Sequence, residues 1–139
     1  MGIQPPFNFH FGGHHRLDNL LGPQRALRSD PLGSLIDAGI PVGGGSDSYV
    51  TPMNPLYSIH CAANHSISTE RLDTERAIQL YTIDNALLSF EENDKGSVEE
   101  GKLGDFTVMD SDPTRVPVET IKDIEVAMTI IGGATVYSK

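Results

Sequence analysis

The residue best placed to do chemistry is a carboxylate, Asp47, in the run Gly43-Gly44-Gly45-Ser46-Asp47-Ser48-Tyr49-Val50-Thr51-Pro52. Ile40-Pro41-Val42 before it is a short apolar stub of strand character. Asn54-Pro55 after it supplies a capping side chain and a first-turn proline for a helix. The unit reads strand, glycine turn, carboxylate, loop, helix. α/β folds hold their reacting groups just past the carboxyl ends of strands. Three glycines let the backbone bend sharply and approach another group closely. No lysine or arginine lies within fifteen positions of Asp47 on either side. Its partner therefore comes from elsewhere in the chain or beyond it: a metal ion, a substrate proton or a backbone turn. The reading without chemistry is an Asx-turn, in which the carboxylate accepts neighbouring N–H groups.

The other candidates are weaker. His14 and His15 are adjacent and cannot share a helix face. His10 and His14 have ligand spacing, but Gly12 and Gly13 between them argue against a helix, so a mobile loop is expected over Gly12 to Asp18. His60 and His65 are five apart and face different ways. His65 is expected at the surface, with the mouth of a site as the alternative. Cys61, the single cysteine, lies on the helix expected after Asn54 and reads as packing rather than as a nucleophile.

The elements that must position these groups come from periodicity. Ile3-Gln4-Pro5-Pro6-Phe7 reads as a strand end entering a loop, with Phe7, Phe9 and Phe11 alternating onto one face. Helical pieces are expected at Pro23–Leu27, from Asp30 as cap to Gly39, from Pro55 to about Asn64, from Thr74 to about Thr82 with Asp73 as cap, and over Asn85–Phe90 with Asp84 as cap. From Gly96 the pattern turns to β. Strands are expected at Phe106–Met109, Glu125–Ile131 and Ala134–Tyr137, the last two joined by a Gly132-Gly133 hairpin turn, with a further short strand at Ser97-Val98. The sequence thus divides into an α/β part, residues 1–95, and a β part, residues 96–139.

Length and charge bound the partners. A chain of 139 residues suits one domain. A formal net charge of −9 argues against nucleic acid and against an anionic membrane surface. No apolar run approaches a membrane span and no basic-then-apolar leader opens the sequence. One cysteine fits a reducing compartment, so the expected location is cytoplasmic.

Six stretches together carry a resemblance: Ile3-Gln4-Pro5; Leu35 to Val42; Gly45-Ser46-Asp47; Tyr81-Thr82-Ile83-Asp84-Asn85-Ala86; Gly96 to Phe106; and Ile130-Ile131-Gly132-Gly133. In this order they resemble the carboxyl-terminal portion of a metal-dependent hydrolase of the amidohydrolase superfamily. The branch they resemble is the amidohydrolase family 3 type, similar to N-substituted formamide deformylases. The resemblance implies a (β/α)8 TIM barrel that carries the metal site, followed by part of a composite β-sandwich. Gln4-Pro5 would end the seventh barrel strand and Ile40 to Gly45 would form the eighth. Residues 1–95 would be a partial barrel, and residues 96–139 the carboxyl-terminal share of the sandwich.

The resemblance also implies a role for one residue. Asp47 corresponds to the aspartate after the eighth strand, a ligand or near neighbour of a divalent metal, zinc being expected. That aspartate takes a proton from the water that attacks a carbonyl carbon. The substrate would be a small amide-type molecule. The family's remaining ligands would precede Met1, so the chain alone is expected to be inactive and to bind zinc weakly. The expected partner is a complementing amino-terminal chain or a second copy. A non-catalytic, self-associating module is the alternative from another class. A small complete metalloenzyme using Asp47 with His14, His15 or His65 is the third reading.

Overall fold

A parallel pair of very short strands, β1 (Gly2–Ile3) and β2 (Gly43–Gly44), sets the frame. Gly2 stands opposite Gly43 and Ile3 opposite Gly44. The pairing continues in backbone bonds from the Gly43 N–H to the Met1 carbonyl and from the Gly45 N–H to the Ile3 carbonyl, each 2.9 Å. The computed structural model describes residues 1–11 and 13–139, without the side chains of residues 13–15. Its elements between and after these strands are α1 (Pro6–His10), α2 (Gly13–Leu21), α3 (Pro23–Ala26), α4 (Leu32–Asp37), α5 (Pro55–Ala63), α6 (Thr74–Gln79) and α7 (Ile83–Leu88). Then come β3 (Phe106–Met109), β4 (Val126–Ile131) and β5 (Ala134–Ser138), with 3-10 turns at Ser68–Glu70 and Val118–Asp123. The fold is mixed α/β. No helix among the described residues is long and apolar enough to cross a membrane.

The capping residues decide the best-defined helix starts. The Asn54 side chain accepts the Tyr57 N–H at 3.1 Å, and Pro55 follows in the first turn. Asp73 accepts the Arg76 N–H at 2.7 Å in the same way. Each satisfies one of the N–H groups that a helix leaves unpaired at its start. Two other expected caps do not form. Asp30 lies ahead of α4, in a left-handed conformation with φ 48°, and the capping position falls to Pro31. Asp84 lies inside the first turn of α7 and pairs instead with Arg76.

The amino-terminal segment is also helical where a loop was expected. Pro5 and Pro6 preset helical φ values, and the Gln4 carbonyl accepts the Phe7 N–H. Helical geometry then separates the three phenylalanines. Phe7 and Phe11 meet edge-to-face at 5.1 Å, whereas Phe9 lies 5.9 Å from the His60 ring. The backbone from Gly13 is likewise helical, so that part of the expected loop is corrected, while Gly12 lies outside the described residues. Ser97-Val98 is not a strand.

The core gathers Ile3, Val42, Leu32, Ile59, Ala62, Ala63, Ala77, Leu80 and Ile121. β3, β4 and β5 form a separate antiparallel sheet in that order, with one irregularity in each pairing. Between this sheet and helices α5–α7 runs a groove of about 790 Å³, with Leu56 and Ile78 on one wall and Phe106, Val126 and Ile130 on the other.

Candidate functional site

The carboxyl end of β2 is built on close backbone contact, which explains its glycines. A Cβ on Gly43 would lie 2.2 Å from Asn85 Oδ1, and one on Gly44 would lie 2.4 Å from the Tyr81 ring. Neither distance is possible for real atoms, so only glycine lets the corner between α6 and α7 press against the strand. That corner bonds to the strand as well. The Leu80 carbonyl accepts the Gly44 N–H at 2.9 Å, and Asn85 Nδ2 donates to the Gly44 carbonyl at 3.0 Å. The Tyr81 hydroxyl reaches the Gly45 carbonyl at 3.4 Å. Burial pushes the Tyr81 phenol well above its ordinary pKa, so it remains a donor.

Asp47 follows at the open end of this strand. Its backbone is left-handed, with φ 50°, a conformation that aspartate tolerates better than most side chains. Its carbonyl accepts the Val50 N–H at 2.7 Å, closing a tight turn. The buried Thr51 hydroxyl donates to the Ser46 carbonyl and ties the far side of the turn back to the strand. The Asp47 side chain is exposed, and among the described residues it makes no hydrogen bond or ion pair. The Asx-turn alternative therefore does not describe it. Beside it a cleft of about 160 Å³ opens between Gly44–Ser46 and the start of α5, with Met53, Ser58 and Tyr81 on its walls. Tyr49 and Met53 project freely into solvent from the same loop.

The remaining candidates lie elsewhere or carry no open chemistry. His65 is fully buried, which corrects its expected surface position. Its Nδ1 lies 3.1 Å from the Ile67 nitrogen and 3.3 Å from the Ile67 carbonyl oxygen, while Arg71 Nε donates to the His65 carbonyl. His60 is buried under the turn at Val118–Asp123, with Nδ1 3.3 Å from the Val118 carbonyl, and burial pulls its pKa below the ordinary value. His10 is exposed against Phe11. The side chains of His14 and His15 lie outside the described residues. Cys61 has no solvent exposure and its thiol is pushed up to about 11 by burial, as suits a packing residue. No group of three His, Cys, Asp or Glu side chains among the described residues could hold a metal ion.

Two structural polar groups escaped the sequence reading. Asn85 carried no assigned role, although the spacing Tyr81 to Asn85 on one helical corner, facing a glycine pair, is its signal. Glu70 is buried and accepts both the Ser34 N–H at 2.8 Å and the Ser34 hydroxyl at 2.6 Å. It thereby caps α4 from 36 residues away.

The family is decided by comparison with known proteins. The sequence profile of the amidohydrolase family matches residues 1–137. The chain belongs to the amidohydrolase family. Among curated relatives, it is 33% identical over 129 residues to YtcJ of Bacillus subtilis (strain 168), covering 86% of this chain and 24% of YtcJ. It is 26% identical over 123 residues to the N-substituted formamide deformylase of Arthrobacter pascens, covering 84% of this chain and 23% of that enzyme. The chain therefore spans about a quarter of the length of these relatives. In fold it is similar to a metal-dependent hydrolase from Pyrococcus furiosus, with TM-score 0.67 at 22% identity over 82% of this chain and 24% of the other. The family resemblance read from six scattered stretches thus holds for nearly all of this amidohydrolase-family chain.

Proposed function

We propose that the chain is the carboxyl-terminal portion of a metal-dependent amidohydrolase that cleaves C–N bonds in small amide- or formamide-type molecules. The supporting observation is the exposed carboxylate of Asp47 just past β2, unpaired among the described residues and inside a family match that covers residues 1–137. On this reading β1 and β2 are the seventh and eighth strands of a (β/α)8 barrel, and their parallel pairing is what neighbouring barrel strands require. β3, β4 and β5 contribute to a composite sandwich.

The described residues do not fit a divalent ion by themselves. Catalytic zinc sites draw on about three protein ligands, and no group of three His, Cys, Asp or Glu side chains among the described residues could hold one. Asp47 is proposed as one of those ligands and as the base that takes a proton from the attacking water. A carboxylate with no competing partner is free for both tasks. The remaining ligands come from residues other than those described.

The isolated chain is expected to release no amine from N-substituted formamides and to take up no stoichiometric zinc in calorimetry. Joined to the upstream three-quarters of a matching amidohydrolase, it is expected to support turnover. Asp47→Asn should then lower kcat by about 10²–10⁴-fold. Turnover or tight zinc uptake by the isolated chain, or full activity with Asn at position 47, would overturn the reading.

The second reading, a self-associating module without catalysis, is favoured by the exposed apolar side chains of Phe106, Val108, Ile131, Val136 and Tyr137 on the open sheet. A discrete symmetric oligomer in sedimentation would support it.

A further inference from the structure

Gly43 and Gly44 let the α6–α7 corner approach β2, and a run of three glycines, Gly43 to Gly45, gives the backbone there more conformational freedom than side-chain-bearing residues would. Asp47 stands two residues beyond them, and no side-chain bond of its own holds it among the described residues. Yet a reacting group must be held to within about half an ångström of its working place. The backbone just before it has to supply that precision.

β2 is tethered on both edges. Toward β1, the Gly43 and Gly45 N–H groups bond to the carbonyls of Met1 and Ile3. On the other edge no strand is present among the described residues, and the α6–α7 corner takes that place. Gly44 gives its N–H to Leu80 and receives Asn85 Nδ2 on its carbonyl at 3.0 Å. Tyr81 adds its hydroxyl at the Gly45 carbonyl. Both polar groups of Gly44 are thus satisfied by one helical corner, as a neighbouring strand would satisfy them. The fit is mutual, because a side chain at position 43 or 44 would expel Asn85 or Tyr81.

We propose that Asn85 and Tyr81 are positioning residues for Asp47: they clamp the Gly44 and Gly45 carbonyls and so fix where the left-handed turn presents the carboxylate. The inference rests on the reading that Asp47 acts at the site. It assigns to Asn85 and Tyr81 no contact with substrate.

Amide hydrogen exchange by NMR on the full chain tests it. Asn85→Ala is expected to speed exchange at Gly44, Gly45 and Val50 by about tenfold and to shift the Asp47 amide resonance. Exchange in α5 and in β3, β4 and β5 should stay at parent rates. Tyr81→Phe keeps the ring packing and removes only the hydroxyl, so it decides the matter if Asn85→Ala fails to fold. It should give a smaller rise, confined to Gly45–Val50. Parent-like exchange over Gly44–Val50 overturns the proposal. So does a uniform rise across the molecule, which would mean that the corner merely stabilises the fold. Failure of the Asp47 role itself would appear separately, as activity retained by Asp47→Asn, with the exchange pattern of the two clamp variants unchanged.

Discussion

Residues 1–95 and residues 96–139 both carry apolar side chains at regular spacing, but they use them differently. Every member of the core except Ile121 comes from the first region. The second region lays out three strands whose residues are exposed or half-buried, and all of β5 is exposed. The difference is one of layers. A helix has one apolar stripe to hide, and in the first region α4, α5 and α6 hide theirs against one another and against Ile3 and Val42. A three-stranded sheet has two faces and two edges, and it needs a second layer to bury even one face. The second region reaches the core through the turn at Val118–Asp123, which lays Ile121 against α5.

The largest expected effect tests this contrast directly. Leu80→Ala, at a site with no exposure, should cost about 2–5 kcal/mol in urea unfolding. Val136→Ala, at a residue 57% exposed, should stay within about 0.5 kcal/mol. Equal losses at the two sites would abolish the distinction between a sealed and an open region.

A middle-sized effect is expected at Glu70. Glu70→Ala leaves the Ser34 N–H and hydroxyl without their buried partner, at a cost of about 1–3 kcal/mol. Glu70→Gln keeps an acceptor and should lose less. If the alanine variant melts like the parent, the long-range cap of α4 contributes nothing.

The smallest effect lies at the seam between the regions. His60 packs under Val118 with a pKa lowered mainly by burial, and Lys122 adds to the lowering. The Val118 carbonyl, Asp123 and Glu119 oppose it. The folded chain therefore prefers neutral His60, while the unfolded chain protonates it near the ordinary value of 6.5. Its contribution to stability is full above that value and declines as pH falls through and below it. Melting temperature followed from about pH 8 down to about pH 5 should drop, and His60→Gln should flatten part of the drop. An identical pH profile in the variant would remove His60 from the account.

How legible each part was depended on how local its cause is. The Asn54 and Asp73 caps were readable because cap and helix lie within three residues of each other. The hairpin at Gly132-Gly133 was readable for the same reason, as both glycines take positive φ. The alternation of Phe7, Phe9 and Phe11 misled because five residues fit either period, and the prolines before them chose the helix. Asp30 and Asp84 have the chemistry of caps, but α4 and α7 start elsewhere. His65 looked like a surface residue because its neighbours in sequence are polar. It is buried because segments such as α1, whose Asn8 accepts the Ser66 N–H at 3.0 Å, close over that stretch.

Residue type and short spacing alone carried the family, the Asn54 and Asp73 caps, the glycine run and the choice of Asp47 as the candidate carboxylate. The chain keeps both wherever it folds. It took the folded arrangement to show that Gly43 and Gly44 face Asn85 and Tyr81, that Glu70 caps a helix 36 residues away, and that the Asp47 side chain has no partner among the described residues. Those facts depend on which distant segments share space, and core packing settles that.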